Sequence, residues 1–108
     1  MNNTLESLYS VVMDRKTNPQ EGSYTCYLFD KGLDKILKKV GEESAETIIA
    51  AKNGNKNELC GEVCDLIYHI TVMCAECGLD IKDVLCELDL RAEKIGNLKV
   101  MKNVDRNT

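Results

Sequence analysis

The sequence has no long uninterrupted apolar stretch, because charged residues break every apolar segment within a few positions. A membrane-spanning helix needs about 20 consecutive, mainly apolar residues, so we expect no membrane partner. The first residues, MNNTLESLYSVVMDR, also lack the basic start and the apolar run of about 7–15 residues that a secretory signal requires. These absences predict a cytoplasmic protein.

Positive charge is also in short supply. Fourteen Lys and Arg stand against eighteen Asp and Glu, which gives a formal net charge of −4. Proteins that bind nucleic acids by neutralising phosphates carry a basic face instead. We therefore expect no nucleic-acid partner, and a phosphate ligand would need a metal ion as mediator.

The six cysteines lack the setting of a disulfide scaffold, since all of them lie in apolar segments with helical periodicity. We interpret them as free thiols that pack as small apolar side chains. Cys74 and Cys77 have the CxxC spacing, but the second CxxC or the His pair of a structural zinc site is missing. The spacing is therefore interpreted as incidental, with oxidation sensitivity as the minor alternative.

No pattern with period two persists, so strands are not expected. Apolar residues instead recur with the period of about 3.6 that is typical of amphipathic helices. The fold class is therefore predicted as all-α, a compact bundle of about four to five helices. We place the helices at 4–16, 24–29, 34–52, 58–77 and 81–95, within one domain over 1–108 whose residues 97–108 form a loose tail.

The helix ends are predicted from capping residues. We expect a capping box of Asn3 with Glu6, and N-caps at Asp34, Asn57 and Asp80. The only proline lies in the polar segment 17–23, which is predicted as a loop. The short connection NGNKN at 53–57 predicts that the helices on either side pack antiparallel.

Acidic residues in these two helices repeat one spacing. Glu43 and Glu46 are three apart, as are Glu62 and Asp65, so each pair shares one helix face. Like charges at this spacing repel by roughly 0.2–0.5 kcal/mol, so local helix stability does not favour them. Antiparallel packing would bring both pairs to similar heights, where Glu42 could join them.

Converging carboxylates need a counter-charge, and hard divalent cations with oxygen ligands supply it. We expect Mg²⁺, which binds a few carboxylates together with water and substrate phosphates. The alternative that the residues leave open is a solvated acidic face.

The motif EExxE at 42–46, followed by ExxD at 62–65, resembles the metal-binding signature of the all-α, MazG-like nucleoside triphosphate pyrophosphohydrolases. Joined to SYT at 23–25, KGxDKxxKKxGEE at 31–43 and DLxYH at 65–69, it is similar to the phosphoribosyl-ATP pyrophosphatase family, from about residue 5 to 91. The resemblance implies Mg²⁺-dependent hydrolysis of phosphoribosyl-ATP to phosphoribosyl-AMP and pyrophosphate, the second step of histidine biosynthesis.

The resemblance also implies roles for the acidic residues. The metal ligands would be Glu43, Glu46, Glu62 and Asp65. The catalytic residues would be Glu42 and Glu43, with Glu42 serving either as a fifth ligand or as the base that orients the attacking water.

Four lysines are candidates for the substrate phosphates: Lys31, Lys35, Lys38 and Lys39. Lys35 and Lys39 are favoured, because they share a helix face with Glu42 and Glu46. The alternative is that these lysines pair with acidic neighbours on a solvated surface.

By resemblance alone, Ser23, Tyr24 and Thr25 are substrate-site residues; without the family they would be a helix cap. His69, the only histidine, is interpreted as a core residue hydrogen-bonded to a neighbour, rather than as a group that orients Asp65.

Three positions depart from the family's usual residues: Ser44, Cys64 and Cys77. The cyclohydrolase that is sometimes fused to this domain is not expected in this chain. Apolar stripes on the last two predicted helices, together with the family's habit, predict a homodimer with the active site near the subunit boundary. Two other functions stay open: a house-cleaning pyrophosphohydrolase acting on dUTP or dCTP, and a non-catalytic helical interaction module.

Overall fold

The computed structural model describes residues 3–96, and within this range the chain is all-α, as predicted. The helices are α1 (Thr4–Thr17), α2 (Tyr24–Lys31), α3 (Leu33–Asn53), α4 (Lys56–Glu76) and α5 (Ile81–Gly96). The predicted loose tail, 97–108, lies outside the described residues. No described helix combines the length and the apolarity needed to cross a bilayer.

Helices α3 and α4 form the antiparallel hairpin that the short connection predicts, and they share the most extensive helix interface of the described chain. Gly54 adopts a left-handed φ of 74° at the end of α3, a conformation that a residue with a Cβ adopts only with strain. Thr47 Oγ1 donates its hydrogen to the main-chain oxygen of Glu43 in its own helix at 2.7 Å, and it lies 3.3 Å from the main-chain oxygen of Glu62. The second distance shows that α3 and α4 are in close contact at this point.

The core lies where α1, α2 and α3 meet the C-terminal half of α4. Its buried members are Val12, Leu28, Ile36, Val72 and Ala75. Fully burying a Val, Leu or Ile side chain contributes about 1.5–3 kcal/mol. Helix α4 contacts each of the other four helices, so it is the central element of the described fold.

The predicted apolar stripes are only partly buried. On α3, Ile36 is fully buried, whereas Ile48 and Ile49 are 65% and 57% exposed. The N-terminal half of α4 likewise exposes Val63 and Ile67. Apolar periodicity identifies these helices correctly, but a single chain covers only one side of the hairpin.

All six cysteines are free, as predicted, but the prediction that they pack as small apolar side chains is wrong for most of them, because four are exposed: Cys60, Cys64, Cys77 and Cys86. Cys74 is buried and Cys77 exposed, and burial raises the pKa of the Cys74 thiol.

The predicted capping box of α1 and the predicted N-cap of α3 are both wrong. Asn3 precedes α1 but makes no side-chain capping hydrogen bond, so the capping box with Glu6 does not form. Asp34 lies inside the first turn of α3, because Gly32, with a φ of 94°, ends α2 and directly precedes α3. No separate capping residue fits between these helices.

The predicted cap of α4 is also wrong, since Asn55 holds this position and Asn57 lies inside the helix. Asn55 has the extended backbone of an N-cap, and its Oδ1 accepts from Glu58 N at 3.1 Å. The left-handed turn at Gly54 lets the helix restart two residues earlier than predicted. For α5 the prediction agrees with the structure, where Asp80 Oδ1 accepts from Lys82 N at 2.9 Å.

The two asparagines of the hairpin give a matched test. We expect Asn55→Ala to lower the free energy of unfolding by about 1 kcal/mol, because the cap hydrogen bond is lost. Asn57→Ala should leave it unchanged or raise it slightly, since Ala is the better helix former. Urea denaturation of both variants measures the difference; a larger loss for Asn57→Ala would contradict the assignment.

Candidate metal and substrate site

Three of the four predicted metal ligands meet at the hairpin. Glu43 of α3 and Glu62 and Asp65 of α4 each offer one carboxylate oxygen, and these atoms all lie within 4.8 Å of one another. Helical spacing supplies the two residues on α4, and the close packing of α3 against α4 brings Glu43 to them.

The carboxylates of this cluster are poorly compensated. Glu43 is only 6% exposed, and its Oε1, like Oε1 of Glu62, is buried without a hydrogen-bond partner. Leaving a buried acceptor unsatisfied costs about 1–3 kcal/mol, and more for a charged group. Three converging carboxylates, two of which carry a buried oxygen without a partner, fit a hard divalent cation.

Lys39 is the cation that the described residues bring to this cluster. Its Nζ lies 3.7 Å from Glu43 Oε2 and 3.3 Å from Glu42 Oε1. Burial acts to lower the pKa of Lys39, but the hydrogen bond to Glu42 and the negative groups around it outweigh burial and raise the pKa. One ammonium group leaves the cluster with excess negative charge.

Glu46 and Glu42 lie at the edge of the cluster. Glu46 is exposed and is not one of the three convergent ligands, yet the charge of Glu43 raises its pKa, with burial and a hydrogen bond to Glu43 acting in the same direction. Glu42 is half-exposed and contacts Lys39.

The other predicted lysines are further from the carboxylates. Lys35 and Lys31 lie beside the Tyr27 ring, with Nζ 5.9 and 5.7 Å from its centroid. Lys38 is exposed and makes no ion pair or hydrogen bond with another residue in the described part of the chain. The ion pairs of Lys39 with Glu42 and Glu43 agree with the alternative that these lysines pair with acidic neighbours.

The SYT segment starts α2 and connects it to α4. Ser23 Oγ accepts from Cys26 N at 3.2 Å, so it is the helix cap that the residues alone predict. Thr25 Oγ1 forms a short hydrogen bond with the hydroxyl of Tyr68. The Tyr24 hydroxyl lies 3.1 Å from His69 Nε2.

His69 is buried, and its two hydrogen bonds define its tautomer. Nδ1 lies 2.7 Å from the main-chain oxygen of Asp65, which can only accept, so Nδ1 carries the hydrogen. In the neutral ring Nε2 is then an acceptor, and Tyr24 donates to it. The core interpretation of His69 is consistent with this, because its partner is the backbone of Asp65 and not the carboxylate.

Three residues that hold elements of the site in place were not identified from the sequence. Thr47 packs α3 against the backbone of α4, Tyr68 forms a hydrogen bond with Thr25, and two lysines lie beside the Tyr27 ring. The sequence signals among them are the position of Thr47 one turn after Glu43 and that of Tyr68 within the DLxYH motif.

A family model described as phosphoribosyl-ATP pyrophosphohydrolase matches residues 5–92. The chain belongs to this family. Among curated relatives, the phosphoribosyl-ATP pyrophosphatase of Clostridium novyi strain NT is 56% identical over 95 residues, covering 88% of this chain and 86% of the relative. The protein of the same name from Streptococcus thermophilus is 54% identical over 100 residues, covering 93% and 96%. The similarity to this family therefore extends over nearly the whole described part of the chain.

The raised pKa of Glu46 predicts a pH-dependent stability of the metal-free protein. Folded Glu46 keeps its proton above pH 4.5, its ordinary pKa, where the unfolded chain has lost it. Its contribution to stability is therefore present below pH 4.5 and is lost as pH rises through the raised folded pKa.

Urea denaturation in chelator from pH 4.5 to 8 measures this loss. We expect a smaller loss for Glu46→Gln, which cannot ionise, and a loss equal to wild type for the control Glu93→Gln, an exposed residue of α5. If the free energy of unfolding of wild type and of Glu46→Gln depends on pH in the same way, the repulsion between Glu46 and Glu43 is absent.

Proposed function

We propose that this protein hydrolyses phosphoribosyl-ATP to phosphoribosyl-AMP and pyrophosphate in a Mg²⁺-dependent reaction, the second step of histidine biosynthesis. The observation that carries the proposal is the convergence of Glu43, Glu62 and Asp65, with two orphaned carboxylate oxygens, in a chain of this family. The proposal includes a single domain over 1–108 that works in the cytoplasm on a nucleotide, without a nucleic-acid partner.

The three convergent carboxylates would hold Mg²⁺, and Glu46 would complete the set from the exposed side. When bound, the ion supplies positive charge to the phosphoanhydride oxygens and lowers the pKa of a bound water. Glu42 is the exposed carboxylate beside this cluster. We assign it the role of orienting and deprotonating the attacking water, in preference to a fifth ligand.

The lysines would bind the substrate phosphates. Lys39 already lies beside Glu43, and Lys35 is one turn before it on the same face of α3. Lys31 and Lys38 extend the cationic surface at the edge of this face. Hydrolysis of a phosphoanhydride requires positioning of the water and neutralisation of phosphate charge more than covalent chemistry, and these residues supply both.

The SYT residues would shape the entrance to the same site. Ser23 fixes the start of α2, Thr25 ties it to Tyr68, and Tyr24 donates to His69 beside Asp65. We assign them substrate contact through Tyr24, a residue that is 46% exposed.

Release of pyrophosphate tests substrate and site together. We expect Mg²⁺-dependent release from phosphoribosyl-ATP and little from dUTP, dCTP or ATP. Glu43→Gln should reduce the rate by at least about 10- to 100-fold, the loss that follows when a residue merely supporting a metal ligand is removed. Glu93→Gln, on an exposed face of α5, should retain the wild-type rate.

Two other results of this assay would favour the alternative functions. Cleavage of dUTP or dCTP in preference to phosphoribosyl-ATP would assign the protein to the house-cleaning enzymes and keep the metal site. If no substrate is cleaved, with or without Mg²⁺, the acidic cluster is a binding surface and the enzymatic proposal is wrong.

We also propose a homodimer. Its support is the apolar surface that one chain leaves exposed on α3 and α4: Leu37, Ile48, Ile49, Val63 and Ile67. Because this surface lies on the hairpin that carries the carboxylates, a second copy packed there would place the site near the subunit boundary.

Light scattering during gel filtration tests the dimer. We expect twice the chain mass of 12.1 kDa for the wild type. Ile48→Glu should shift the protein towards the monomer mass with unchanged helix content, because a charge then lies in the apolar contact. Lys52→Glu, an exposed control on the same helix, should stay dimeric. A wild-type protein at 12.1 kDa would contradict the proposal.

A further inference from the structure

A cleft of about 520 Å³ lies between the loop before α2 and α2 itself. Two aromatic rings, Tyr24 and Tyr27, line it together with Gln20, Ser23 and Asp30. As whole residues, Tyr24 and Tyr27 are 46% and 42% exposed. Exposed, adjacent aromatic rings in a cleft offer a flat surface on which another ring can stack.

The two rings differ in how they are held. They lie nearly parallel, with centroids 5.9 Å apart and an interplanar angle of 22°. Tyr24 is fixed by its hydrogen bond to His69. The Tyr27 hydroxyl has no hydrogen-bond partner among the described residues, and its ring contributes nothing to the buried core.

Lysine side chains lie between the carboxylates and the Tyr27 ring. Lys39 lies 3.7 Å from Glu43, Lys35 is one turn earlier on α3, and its Nζ is 5.9 Å from the Tyr27 centroid. Lys31 approaches the same ring at 5.7 Å. A phosphate chain that starts at the carboxylates and follows these lysines leads to the Tyr27 ring.

We propose that Tyr27 stacks on the purine base of the nucleotide substrate and thereby selects for a base-bearing triphosphate. This inference rests on the proposed function and adds the subsite for the base. The phosphates occupy Lys39 and Lys35, and the base lies in the cleft against Tyr27, with the fixed Tyr24 ring as its neighbour.

Replacing the lysine contacts of the Tyr27 ring by a stacked base should be favourable. An exposed cation–π contact corresponds to about a 2- to 5-fold change in an equilibrium constant. A base stacked on an aromatic side chain corresponds to about a 5- to 150-fold change. Lys31 and Lys35, released from the ring, gain phosphate oxygens in return.

Tyr27→Trp makes binding at this position visible, because the chain contains no other tryptophan. In Mg²⁺, ATP should quench the fluorescence of Tyr27→Trp in a saturable way, whereas inorganic tripolyphosphate, which has no base, should not. Leu90→Trp, at an exposed position of α5, corrects for absorption by the nucleotide and should show no saturable quenching. Equal responses to ATP and tripolyphosphate would overturn the proposal.

Steady-state kinetics with phosphoribosyl-ATP provide the second test. Tyr27→Leu should raise KM by about tenfold or more and leave kcat within about threefold, since the proposed contact of Tyr27 is with the base and not with the phosphates. Tyr27→Phe keeps the ring and should restore KM to near the wild-type value. Thermal denaturation confirms that both variants are folded.

The two tests separate the subsite from the function. A wild type that hydrolyses phosphoribosyl-ATP, with unchanged KM in Tyr27→Leu, overturns the stacking and leaves the function intact. A wild type without activity contradicts the function, and the ATP quench of Tyr27→Trp then decides the stacking by itself.

Discussion

The register of the α3–α4 hairpin is the constraint on which the site depends. Each residue advances a helix by about 100°, so a slip of one position would turn Glu43 away from Glu62 and Asp65. The left-handed Gly54, the Asn55 cap and the contact of Thr47 with the Glu62 carbonyl oppose such a slip. All three are uncharged features, so the register does not rely on the carboxylates that it brings together.

The clustered carboxylates destabilise the metal-free fold. Glu43 is almost fully buried beside Glu62 and Asp65, with Lys39 as its nearby cation. Such a site is destabilising in the metal-free chain, and the apolar core around Leu28, Ile36 and Val72 offsets the loss. The core and the site lie at different heights of α4, so α4 carries stabilising contacts in its C-terminal half and strained electrostatics nearer its start.

Much of this arrangement can be predicted from the sequence, because it is local. Period 3.6 predicts the helices, and the short connection predicts the antiparallel hairpin with its acidic pairs. Local signals do not show that Glu43 is buried while Glu46 is exposed, since that depends on helix rotation. Asn55 and Asn57 are equally good caps until the turn at Gly54 selects one. Tyr68 and Thr25 are 43 positions apart, and only packing brings them together.

The hydrogen bond between Tyr24 and His69 has a direction, and the backbone of α4 sets it. The main-chain oxygen of Asp65 takes the hydrogen of Nδ1, so in the neutral ring Nε2 accepts from the Tyr24 hydroxyl. The single hydrogen of that hydroxyl is then committed to the histidine, and its oxygen can only accept from any other group. A carbonyl group of α4 thus determines, through one buried ring, what kind of partner a tyrosine of α2 can take.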